Sequence, residues 1–169
     1  DELETHGGSL RIYVKNTSDK KNKTTENVES ILQKEINSGI NTKIYYEQLK
    51  SNTIRIKHEF LSYITQQKLI NNKKIVGFGA AAKGNTFLNY CGVRNDLIDY
   101  VVDETPSKQG KYLPQSHIPV KPFDIIKIDQ PDIIIIIPWN FKDEILKKLE
   151  FTKQWNCKLV TYIPFLTFH

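Results

Sequence analysis

Residues 77–86 read Gly77-Phe78-Gly79-Ala80-Ala81-Ala82-Lys83-Gly84-Asn85-Thr86 and follow the apolar pair Ile75-Val76. An apolar strand that runs into a glycine turn and then a helix is an arrangement that cradles phosphate. Glycine lets the backbone turn tightly and approach a ligand, and the first amides of the helix point outward with the positive end of its dipole. Gly77-x-Gly79-x-x-Ala82 fits the dinucleotide-type spacing, with Ala82 small enough for close packing of helix on strand. A P-loop is excluded. Gly79, Gly84 and Thr86 have its spacing, but Asn85 stands where the phosphate-clamping lysine belongs, and Lys83 comes too early. The spacing alone serves an anion cradle and an ordinary strand–helix turn equally well.

Stepping out from the turn, the chain alternates strand and helix: strand 74–78, helix 82–91, strand 97–102, a proline-punctuated loop, a short helix 122–128, strand 132–137, helix 140–150 and strand 157–163. Ile133 to Ile137 are apolar at every position, as a central strand covered on both faces must be. The expected architecture is α/β, a mostly parallel Rossmann-like sheet with helices on both faces. Asn140 is placed to cap the helix that follows Pro138, with Asp143 and Glu144 in its first turn and Lys147 and Lys148 toward its end.

Ahead of this core, residues 9–14 (Ser-Leu-Arg-Ile-Tyr-Val) read as a strand, and Val28, Ile31, Leu32 and Ile36 as a short amphipathic helix stopped by Gly39. A long helix follows over 41–71. Residues 1–72 are thus expected to form a strand and helical extension packed on a core of residues 73–169, together one domain.

Ligands of such sheets bind at the carboxyl ends of the strands, near the point where strand order reverses. That rule selects Gly79 to Thr86, Asp103 to Tyr112, and Trp139-Asn140. Asp103 lies where a Rossmann acidic residue bonds ribose hydroxyls, and it fits a turn before Pro106 equally well.

Composition narrows the partners. With 39% hydrophobic and 25% charged residues the chain reads as a soluble globular protein, and its longest apolar run, Ile133 to Trp139, is too short to span a bilayer. The net charge of +5 comes from scattered lysines, so a solvated surface is expected in place of a nucleic-acid groove. Cys91 and Cys157 make neither a disulfide framework nor a zinc site, which fits a reducing cytoplasm. Methionine is absent, and the expectation is a piece of a longer polypeptide.

Four ordered segments carry a family resemblance. His6-Gly7-Gly8-Ser9-Leu10-Arg11, the glycine segment from Gly77 through Gly92, Asp99 through Pro114, and Ile137-Pro138-Trp139-Asn140 with Lys142-Asp143-Glu144-Ile145 resemble the C-terminal domain of sugar C-methyltransferases. The resemblance implies a three-part enzyme: a zinc-binding N-terminal piece, a central S-adenosylmethionine-binding domain that carries the catalytic base in a Tyr-x-Glu-His segment, and this Rossmann-like domain. Its substrate is a nucleotide-linked keto-deoxysugar. On this reading the chain binds no cofactor itself, has no catalytic residue, and is inactive alone. Gly77, Gly79, Ala80, Ala81, Lys83, Asn85, Thr86, Asp103, Lys108, Gln109, Lys111 and Asn140 are its candidate substrate-binding residues. His6 and His117 read as turn and surface residues, and His58-Glu59 does not match the catalytic segment. The competing reading is an NAD(P)-binding oxidoreductase domain, with pyrophosphate on the glycine turn and ribose on Asp103.

Overall fold

A computed structural model describes residues 1–169, with the side chain of His6 outside the described residues. The chain forms two compact units, Asp1–Ile54 and Arg55–His169, with the boundary inside one helix.

In the first unit β1 (Glu2–Leu3) and β2 (Ser9–Leu10) pair antiparallel around a 3-10 turn at Thr5–Gly7. The strand expected over 9–14 is shorter in the structure, pairing with β1 only at Ser9 and Leu10. Helix α1 (Glu26–Ser38) ends as expected at Gly39, whose left-handed φ of 75° brings its amide 3.0 Å from the Ile36 carbonyl. Helix α2 (Lys43–Thr65) follows and runs straight into a π-helical turn at Gln66–Ile70, so the expected 41–71 helix is close to its real extent.

The second unit is built on a six-stranded sheet. Its strands are β3 (Ile75–Phe78), β4 (Val101–Val102), β5 (Val120–Lys121), β6 (Ile133–Ile136), β7 (Lys158–Thr161) and β8 (Thr167–Phe168), in the order β5-β4-β3-β6-β7-β8. All neighbours are parallel except β7 and β8. This is the Rossmann-like α/β sheet that the alternation of elements predicts. The isoleucine run shows why helices cover both faces. Successive side chains of a strand point to opposite sides. Ile133, Ile135 and Ile137 therefore join one core cluster with Phe60 and Ile64 of α2 and Leu88 of α3 (Ala82–Cys91). Ile134 and Ile136 join the other, with Ile126 of α4 (Ile125–Asp129) and Ile145 of α5 (Lys142–Lys148).

Several boundaries differ from expectation, each for a local reason. The strand expected over 97–102 keeps only Val101–Val102, since Leu97 and Ile98 donate back to the Arg94 carbonyl in a turn. Residues 122–124 form a turn that delays α4 to Ile125. The helix expected over 140–150 is a 3-10 turn at Trp139–Phe141, then α5, then a second 3-10 stretch at Glu150–Trp155. The two-residue strands β5 and β8 are too short to leave a periodic signal.

Candidate functional site

Strand order reverses between β3, which continues to β4 on one side, and β6, which continues to β7 on the other. The loops that leave β3 and β6 at their carboxyl ends therefore face one another, and the glycines are where they meet. A Cβ on Gly77 would lie 2.7 Å from Ile137 Cδ1 and 2.8 Å from Val101 Cγ2. One on Gly79, whose φ is +89°, would lie 2.7 Å from Pro138 Cγ. One on Gly84 would sit 1.7 Å from Ile137 Cγ2, inside the side chain. The close approach that glycine permits here is taken up by Ile137 and Pro138. Ile137 is in turn fixed by the buried Tyr162, whose hydroxyl donates to its carbonyl at 3.0 Å. The Tyr162 ring stacks on Phe87 with centroids 4.1 Å apart.

A second set of bonds holds the glycine turn to the loop after β4. The Ala80 amide donates to Asp103 Oδ2 at 2.7 Å, and the Ala80 carbonyl accepts from Lys108 Nζ at 3.0 Å. Lys108 also reaches Asp103 Oδ2 at 3.1 Å, the Thr105 amide donates to Oδ1 at 2.8 Å, and Gln109 Nε2 donates to the Asp103 carbonyl at 2.9 Å. Asp103 is buried, which by itself would raise its pKa; the bonds from Thr105, Lys108 and Ala80 outweigh that and hold it below the ordinary carboxylate value.

The sheet thus brings together Gly77, Gly79, Ala80, Asp103, Lys108 and Gln109. Ala81 is half-buried and is the N-cap of α3, where it offers no side-chain acceptor; the first turn of α3 holds no carboxylate. Lys83 is exposed on that turn. Asn85 is half-buried, and its Oδ1 is fully buried without a partner among the described residues. The Thr86 hydroxyl turns back on its own helix, donating to the Ala82 carbonyl at 3.2 Å. Lys111 is exposed and stands outside the bonds around Asp103. Asn140 lies in the 3-10 turn after β6 and does not cap α5, which begins at Lys142 with Phe141 as its uncapped N-cap. His117 is exposed beside the Tyr112 ring, while the expectation for the His6 imidazole falls outside the described residues.

The candidate residues read from the sequence leave out Thr105, Ile137 and Pro138, although the selected segments contain or adjoin them, and Tyr162 was missed altogether. Tyr162 alone carried a signal, since a tyrosine in an apolar strand must find an acceptor for its hydroxyl. A separate groove of about 310 Å³, lined by Leu146, Lys153, Cys157, Leu159 and His169 among others, shares no residue with this site. Among the described residues there is no cluster of three His, Cys, Asp or Glu able to hold a metal, and no helix is long and apolar enough to cross a membrane.

The chain is similar to proteins of one kind. It is 27% identical over 161 residues to the C-methyltransferase NovU of Streptomyces niveus, a match that covers 95% of this chain and 38% of that protein. The chain therefore spans well under half the length of the curated relative it matches. Residues 4–164, which include the glycine turn, the loop bearing Asp103 and Lys108, and the Ile137-Pro138 corner, match the family described as the C-methyltransferase C-terminal domain. This chain belongs to the C-methyltransferase C-terminal domain family.

Proposed function

We propose that this chain is the substrate-holding C-terminal domain of a C-methyltransferase that acts on a nucleotide-linked keto-deoxysugar. The catalytic base, the S-adenosylmethionine site and the zinc-binding piece belong to other parts of the same parent enzyme, and the nearest of these, the central methyltransferase domain, is its working partner in the cytoplasm. S-adenosylmethionine supplies the electrophilic methyl group there. This chain supplies a rigid wall for the nucleotide-sugar, with no group that moves a proton from substrate.

One observation carries the reading. At the reversal point of the sheet, α3 begins without a side-chain cap and without a carboxylate in its first turn, next to a loop that Asp103 and Lys108 hold in place. Uncapped helix amides at the positive end of a dipole favour a diphosphate, and Lys83 on the same turn adds positive charge. Asp103, the ribose partner of the dinucleotide reading, is here engaged in holding the loop through both its oxygens.

The test is a calorimetric titration of the 169-residue chain with a deoxythymidine-diphosphate sugar, NAD and S-adenosylmethionine. The sugar nucleotide is expected to bind in preference, weakly, since a substrate lying between two domains leaves half its contacts elsewhere. A preference for NAD, or methyl transfer by this chain alone, overturns the proposal.

A further inference from the structure

The carbonyl of Ile137 accepts from two donors. The Trp139 amide reaches it at 2.9 Å and closes an inverse γ-turn centred on Pro138, whose φ of −80° and ψ of 70° are those of that turn. The Tyr162 hydroxyl reaches it at 3.0 Å. The ladder between β6 and β7 ends at Ile135 and Val160, two residues short of this pair, and there the phenol takes over from the backbone. Its ring is held in line by the core: Tyr162 is 1% exposed, stacks on Phe87 of α3 at 4.1 Å and lies 5.3 Å from Phe60 of α2. Phenylalanine would fill the same space, so what tyrosine adds is the bond.

That bond fixes the direction in which the chain leaves β6. Pro138 is the residue that meets Gly79, Trp139 packs half-buried on the core layer of Phe60 and Leu88, and Asn140 follows in the same 3-10 turn. Neither this turn nor α5 after it has a side-chain cap, so the hold on the corner comes from behind, through Ile137. We propose that Tyr162 is a positioning residue of the substrate wall: by holding the Ile137 carbonyl it sets the Pro138 turn, and with it the place of Asn140 at the carboxyl end of β6. The inference rests on the functional reading above and gives Tyr162 no contact with substrate.

The experiment compares the unsubstituted 169-residue chain with two variants. Tyr162→Phe keeps the ring and loses the hydroxyl. Thr152→Val loses a like bond elsewhere, from a buried hydroxyl to the Leu149 carbonyl at 2.7 Å. A deoxythymidine-diphosphate sugar is titrated into each by calorimetry, well below every Tm. Tyr162→Phe is expected to weaken binding about tenfold and Thr152→Val to leave it unchanged, although both lower the Tm. Equal affinity in Tyr162→Phe and the unsubstituted chain, or equal weakening in both variants, overturns the inference. In a Trp155→Phe background Trp139 is the single tryptophan and reports on the turn without any ligand. Its emission is expected to move to longer wavelength and to be quenched more readily by acrylamide in Tyr162→Phe; unchanged emission overturns the inference whatever the titration gives. Failure of the unsubstituted chain to bind, with the Trp139 change present, sinks the substrate reading and keeps the hold of Tyr162 on the turn.

Discussion

The amide of Ala80 and the carboxylate of Asp103 bind one another at 2.7 Å, tying the turn after β3 to the loop after β4 across the mouth of the sheet. Lys108 touches both partners, so removing the carboxylate takes the acceptor from a part-buried amide and the charge partner from Lys108 at once. Asp103→Ala is expected to lower stability by about 1.5–3 kcal/mol, the range for hydrogen bonds to a charged group. Urea unfolding of the two chains measures this, and a loss below about 0.5 kcal/mol would show that the loops hold without the tie.

Acid should weaken the second unit through three carboxylates. Burial raises the pKa of Asp103 and of Asp132, but in each case hydrogen bonds outweigh it; in Asp129 the bond from Lys74 is the main influence, and it lowers the pKa. All three hold their protons less readily folded than unfolded. Their contribution is therefore complete above the ordinary value of 3.8 and is lost as pH falls through the lower folded values. The urea midpoint should fall as pH drops below about 4, and less steeply in Asp132→Asn, whose amide cannot titrate.

Gly84→Ala sets two effects against each other. Helix propensity favours alanine by about 1 kcal/mol. A Cβ 1.7 Å from Ile137 Cγ2 cannot be absorbed without moving β6 or α3, and overpacking of this kind costs about 1–3 kcal/mol or more. A net destabilisation of about 1 kcal/mol or more is expected by thermal or chemical unfolding. Combined with Ile137→Ala, the change should cost less than the sum of the two single substitutions; strict additivity would mean that the two residues do not meet.

Burial pushes the thiols of Cys91 and Cys157 up to about 12, so neither holds thiolate at neutral pH. In native buffer at pH 8 both should resist a disulfide-exchange reagent and react only as denaturant opens the core. Prompt labelling of either would place it at the surface.

The parallel sheet was legible because its signals are long: five consecutive isoleucines and an alternation of periods that local propensity reinforces. Two-residue strands such as β5 carry no such signal, and the strand over 9–14 was read from propensity although pairing depends on what lies alongside. At the candidate site, spacing located the turn but could not say what the absent side chains of Gly77, Gly79 and Gly84 make room for. That depends on Ile137 and Pro138, more than fifty residues away in the chain. Asp103 shows the same ambiguity: position suits a ribose partner, while geometry turns its oxygens to Ala80, Thr105 and Lys108.

With Gly79 seated on Pro138 and Gly84 on Ile137, not even a methyl group fits between the two loops. There the turn after β3 and the start of α3 pack directly on the corner after β6. Whatever docks against the start of α3 meets a preset mould, and any adjustment of fit must come from the guest or from a surface brought up opposite.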